Sequence, residues 1–114
     1  MIIRKSEIRV DKSNLRNGKG IVKREFIVEG ENLRNKAKLF SKITIPIGGS
    51  IGMHDHTNDF EIYYILSGKG KVLDNGGFIE VNEGDVIYTA DGDEHCIENI
   101  GDEDLVFIAA VIND

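Results

Sequence analysis

The chain holds one cysteine, one proline and no tryptophan in 114 residues, and its 14 Lys and Arg face 20 Asp and Glu. A single thiol, Cys96, excludes an intrachain disulfide, and without a cysteine pair there is no zinc knuckle and no redox motif. The cationic deficit, a formal net charge of −6, leaves no basic stripe to neutralise phosphates. Neither nucleic acid nor a membrane surface is therefore expected as a partner. Apolar runs such as Phe107 to Ile112 stop far short of the ~20 residues a spanning helix needs, and the N-terminus has no apolar stretch of signal-peptide length. The cytoplasm is the expected compartment.

Helix formers are scarce as well. Six Leu and four Ala stand against seventeen Ile and eight Val, and no segment carries a sustained 3.6-residue apolar period. β-Branched side chains fit a pleated surface and lose rotamer freedom in a helix, so the expected class is all-β. Thirteen glycines separate short strand-like runs at 20–28, 36–47, 51–56, 60–66, 69–74, 77–81, 85–89, 94–98 and 105–112. Asn75-Gly76 is the clearest hairpin turn, and the polar stretches 14–20 and 29–35 read as loops. The length fits one domain spanning 1–114.

The histidines number three, His54, His56 and His95, and all lie in strand-like segments. Strand alternation turns His54 and His56 to one side. If 57–60 is a four-residue turn, His56 stands opposite Glu61 and His54 opposite Tyr63, close enough to share an ion. His95 joins them if a distant strand closes the barrel. Three imidazoles and a carboxylate suit a divalent transition ion, and leave two positions open if the ion prefers six ligands.

These residues fall in two longer patterns. Gly48, His54, His56, Glu61 and Gly68 fit G-x5-H-x-H-x4-E-x6-G, while Gly84, Gly92, His95 and Asn99 fit G-x5-P-x-G-x2-H-x3-N, with Ala90 in place of the proline. The chain thereby resembles the cupin superfamily, and small single-domain microbial cupins in particular. The resemblance implies a double-stranded β-helix, or jelly-roll, barrel with one Mn, Fe, Ni, Cu or Zn ion on His54, His56, Glu61 and His95. It also implies structural roles for the glycines and Asn99, and a homodimer. Proteins of this kind are often labelled oxalate decarboxylases or sugar-phosphate isomerase-like. A metal-dependent enzyme acting on a small organic acid or similar molecule, by decarboxylation, dioxygenation or isomerisation, is thus one expectation. A non-enzymatic metal-dependent binding or sensing module is the alternative.

Around that centre the side chains divide by face. Tyr63 shares a face with Glu61, and is either a catalytic hydroxyl beside the metal or a core tyrosine with a hydrogen-bonded tip; Tyr88 has a weaker claim. Cys96 alternates away from His95 and reads as a small buried apolar residue. Asp55, Asp59, Asp91, Asp93 and Glu94 read as a solvated acidic rim, whose field would oppose entry of a dianion such as oxalate. A cation inside the barrel would favour the dianion, and the candidates are Lys42 and Arg24.

Overall fold

The structure, a computed structural model, describes every residue except Asn75. Its ten strands are β1 (Arg9–Ser13), β2 (Val22–Phe26), β3 (Ala37–Ile45), β4 (Ser50–Asp55), β5 (Asp59–Ser67), β6 (Gly70–Asp74), β7 (Gly77–Val81), β8 (Val86–Thr89), β9 (Glu94–Asn99) and β10 (Leu105–Asn113). Among the described residues the only helical segments are short 3-10 turns, Lys5–Glu7 and Gly30–Leu33. The nine expected strand-like runs all appear, with ends shifted by one or two residues: β2, β3, β6 and β8 are shorter than expected, β5, β9 and β10 longer. β1 is the addition, because its charged sequence Arg-Val-Asp-Lys-Ser has no apolar alternation to mark it.

The strands form two antiparallel sheets, ordered β1-β2-β3-β10-β5-β8 and β4-β9-β6-β7. This is the jelly roll that the resemblance implies, within the all-β class expected from the composition. Inward positions alternate along the strands, and Ile43, Ile45, Ile65, Leu105 and Phe107 of the larger sheet meet Ile51, Val72, Val81 and Ile97 of the smaller. Phe107 is fully buried. Truncating such a ring to alanine costs about 3–5 kcal/mol.

Two turns bear on the site. β6 and β7 pair with Asp74 opposite Gly77, as the expected hairpin requires, though Asn75 itself lies outside the described residues. The hairpin expected between β4 and β5 does not form. β4 pairs with β9 in one sheet, while β5 pairs with β10 and β8 in the other. The chain crosses between sheets over 56–58, so Glu61 meets the histidines face to face across the sandwich rather than beside them on a ladder. A cross-strand register drawn from sequence alone assumes that neighbouring strands pair, and a jelly roll breaks that assumption.

Candidate metal centre

Four local devices bring the four side chains together. In β4 the register runs Ile51 opposite Ile97 and then His54 opposite His95, so one strand spends an extra residue at Gly52–Met53. That bulge lets both Ile51 and His54 face inward, which strict alternation forbids. His95 follows on β9, buried beside its cross-strand partner. His56 stands just past β4, where its carbonyl accepts the Gly92 N–H at 2.8 Å and ties its turn to the one that precedes His95. Glu61 enters from the opposite sheet on β5, opposite Thr89 of β8.

The ligand atoms of His54, His56, Glu61 and His95 lie within 4.8 Å of one another. Glu61 Oε1 is 2.9 Å from His95 Nε2, 3.0 Å from His56 Nε2 and 3.6 Å from His54 Nε2, and the Nε2 atoms of His54 and His95 are 2.8 Å apart. The opposite edge of each ring is held. His54 Nδ1–H donates to Gly52 O at 2.9 Å, His56 Nδ1–H donates to Asp59 Oδ1 at 2.8 Å, and His95 Nδ1 meets Thr89 Oγ1 at 2.9 Å. A carbonyl and a carboxylate only accept, so the neutral rings of His54 and His56 carry their hydrogen on Nδ1 and point a lone pair from Nε2. The Thr89 hydroxyl lets His95 do the same. Lone pairs and a carboxylate oxygen thus converge on one point, and a cation is what satisfies such a set, either a metal ion or, without one, a proton carried by an imidazole beside Glu61.

The electrostatics agree. Burial opposes ionisation of Glu61, but hydrogen bonds and charge from the surrounding imidazoles outweigh it and hold the carboxyl down at about 2. Burial pushes the His95 imidazole below its ordinary value, keeping it neutral and able to ligate. Asp59 is also buried, yet hydrogen bonds from Lys38 at 2.7 Å and from His56 hold it below the usual carboxylate range. Asp59 is therefore no part of a solvated rim. It underpins His56, and Lys38 balances its charge. Asp55, Asp91, Asp93 and Glu94 are exposed as expected.

Tyr63 is buried, stacked on the His95 ring at 5.4 Å between centroids and tilted against Phe107 at 4.5 Å. Burial, reinforced by the charge of Glu61, pushes its phenol well above the ordinary range, so it stays protonated and offers a hydrogen bond rather than a base. Tyr88 is exposed and lies tilted against Phe60, with ring centroids 5.5 Å apart. Cys96 faces away from the histidines and is half-buried, less than its expected apolar role suggests, because it faces an outer groove with Met53 and Phe78. The four motif glycines Gly48, Gly68, Gly84 and Gly92 all have positive φ, and Asn99 Nδ2 donates to Ile45 O and Glu103 O. The turn at Ala90 closes without proline, through Asp93 N–H donating to Ala90 O at 3.0 Å.

Two cavities flank the cluster. One, of about 310 Å³, reaches Thr89 and His95 past Asp74, Asp93 and Glu94. The other, of about 120 Å³, is walled by Arg16, Arg24, Ile43, Ile51, His54 and Tyr63. Arg24 thus faces the interior and Lys42 does not, Lys42 sitting out of phase with buried Ser41 and Ile43. The signal for Arg24 was available, since it alternates with Val22 and Phe26, both buried in the structure. Nothing in the sequence marked Arg16, which sits in a loop.

Comparison with known proteins decides the family. The cupin domain matches residues 41–111. The chain belongs to the cupin family. This cupin is 45% identical to an oxalate-binding protein of Thermotoga maritima over 98% of its own length and 93% of that protein. It is 33% identical to the oxalate decarboxylase of Bacillus subtilis over 73% of its length, but spans only 23% of that enzyme. A crystal structure of a predicted oxalate decarboxylase from Thermotoga maritima superposes with a TM-score of 0.93 and 44% identity, each chain covered in full. The cupin domain of Cnp3 from Schizosaccharomyces pombe, at a TM-score of 0.72 and 19% identity over 82% of this chain and 65% of that one, shares the fold.

Proposed function

We propose that this cupin binds a small organic acid, with oxalate as the type ligand, at one divalent transition ion per chain held by His54, His56, Glu61 and His95. The observation that carries this proposal is the convergence of imidazole lone pairs and Glu61 Oε1 on one buried point, each ring held from behind. Mn, Fe, Ni, Cu and Zn all suit the donor set. When bound, the ion supplies a Lewis acid with open positions that take a carboxylate. The chain's own residues do the rest. Glu61 cancels one unit of the ion's charge and so leaves attraction for an anion. Ile43 and Ile51 narrow the inner cavity, and Tyr63 presents a phenolic hydrogen-bond donor beside it.

Binding without turnover is the outcome the side chains favour, because the inner cavity holds no group suited to shuttle protons. All three histidines are ligands and the phenol stays protonated. The likeness to an oxalate decarboxylase supports catalysis as a second reading. Tyr63 is then the catalytic residue, passing a proton to the carbon left when the C–C bond of the acid breaks. Elemental analysis of the purified protein, calorimetry with oxalate, and assays for formate release and oxygen uptake test both. Stoichiometric metal with oxalate binding is the expected result, and a chain that takes up no metal would overturn it.

The same reading places this cupin in the cytoplasm as one domain over 1–114 and as a homodimer. Among the described residues no helix is long and apolar enough to cross a membrane. β1 is a sheet edge with Val10 exposed, which supports pairing there. Sedimentation analysis checks the dimer.

A further inference from the structure

The two cavities beside the cluster carry opposite charge. The larger is bordered by Asp74, Asp93 and Glu94, whose field repels an anion. The smaller has Arg16 and Arg24 in its wall and His54 and Tyr63 at its inner end. At about 120 Å³ it is smaller than the roughly 150 Å³ cavity that admits benzene, and has room for about four waters at ~30 Å³ each. An acid of two or three carbons fits such a space.

Both arginines have capacity to spare. Arg24 Nη2 donates to Asp11 Oδ2 at 2.9 Å, while Arg24 Nε is buried without a partner. A buried unpaired donor on a guanidinium is costly unless a ligand takes it up. Among the described residues no carboxylate lies within ion-pair distance of Arg16.

Arg16 is also held in place at a steric cost. It and Asn17 occupy the left-handed region, at φ 54° and 59°, where a residue with an arginine side chain is disfavoured. Arg34 and Asn35 adopt the same pair of angles, 54° and 55°, in a second turn, so what distinguishes the Arg16 turn is its contacts. Here the turn is pinned to the bulge that aims His54, since Gly18 N–H and Gly52 N–H both donate to Leu15 O, at 2.9 and 3.2 Å. The approach is so close that a Cβ on Gly52 would lie 1.9 Å from Arg16 O, and one on Gly18 would lie 2.1 Å from Ser50 O. Two glycines thus let the loop press on β4 and keep the Arg16 backbone beside the cavity that the residue, itself exposed, helps to line.

We propose that Arg16 and Arg24 form a clamp for the distal carboxylate of a small dicarboxylate whose other carboxylate occupies the open positions at the ion. This selects a short dianion over a monocarboxylate. It rests on the metal site of the preceding section and adds the substrate class and the residues that set it. A planar guanidinium reads a carboxylate through two parallel N–H···O bonds, which a lysine at the same place does not reproduce.

The test uses Arg16→Asn and Arg24→Lys in the full chain loaded with Mn(II), with oxalate and formate as probes in calorimetry. Asparagine tolerates the left-handed region, so Arg16→Asn keeps or raises the melting temperature while removing the guanidinium. Arg24→Lys keeps a cation for Asp11 but loses the fork. Each substitution is expected to weaken oxalate binding about tenfold or more and to move Mn(II) affinity and formate binding less than about threefold. Folded, Mn(II)-loaded variants that bind oxalate as the parent does would overturn the clamp and leave the metal site standing. A parent chain that binds no Mn(II) would overturn the metal-site reading and the clamp with it, and one that binds Mn(II) but no oxalate would overturn the oxalate reading and the clamp while leaving the metal site standing.

Discussion

Replacing Asp59 by asparagine separates the orientation of a ligand from the ligand itself. Asp59 Oδ1 accepts the His56 Nδ1–H at 2.8 Å and its Oδ2 accepts from Lys38 Nζ at 2.7 Å. An amide keeps the size but loses the charge, and nothing then compels it to present oxygen rather than NH₂ to the ring. With NH₂ turned inward, His56 carries its hydrogen on Nε2 and stops being a ligand. Loss of such a supporting carboxylate costs about 10- to 100-fold in metal affinity, or roughly 1.4–2.7 kcal/mol. The Lys38 pair adds little, since the lysine side chain is 55% exposed and its charge is screened. At a fixed excess of metal the same free energy is missing from the stabilised fold, and at about 4 °C per kcal/mol the metal-induced rise in Tm shrinks by roughly 5–10 °C. Chelator competition gives the affinity and thermal unfolding with and without metal gives the shift. A folded Asp59→Asn chain that binds metal as tightly as the parent would refute the assigned role.

Other outcomes follow from the same geometry. His56→Ala and Glu61→Ala are each expected to abolish stoichiometric metal while circular dichroism still reports the β fold; full loading in both would remove them from the ligand set. Gly52→Ala places a methyl against Arg16 O and is expected to cost about 1–3 kcal/mol as the loop and the bulge part, read as a lower denaturation midpoint. For the metal-free protein, Glu61 sits at about 2 against an ordinary 4.5, so its folded form is the weaker proton binder. That contribution, about 3 kcal/mol, is fully present above pH 4.5 and drains away as pH falls toward 2. His95, lowered by burial from 6.5, has the same sign, its share being lost as pH falls below 6.5. The metal-free Tm is therefore expected to fall on acidification from pH 7 to 3, and a rise over that range would contradict both.

Much of this protein was legible in one dimension. The preponderance of Ile and Val with regular glycine punctuation specified an all-β chain, because strand preference is local and summed over many short segments. The four convergent side chains were legible because a motif spacing records which residues share a site without recording how. The route was not legible: His54 and Glu61 come from different sheets, and the pairing of β4 with β9 depends on a strand about forty residues away. The Gly52–Met53 bulge was hidden for the same reason, since an extra residue in a strand is defined only against its partner. Asp59 and Asp55 are the same residue type four positions apart, yet one is buried against His56 and the other is exposed, a difference set by which sheet face each meets.

Composition, periodicity and spacing alone thus determined the strand-rich class and the identity of the metal-binding candidates, for these depend on local backbone preference and on chemistry the residue types carry with them. Only the folded chain decided which acids hold histidines and which face water, that Arg24 points inward while Lys42 does not, and that a loop without any motif carries Arg16 to the cavity. Those outcomes depend on contacts between segments far apart along the chain, which exist only once the two sheets have closed on each other.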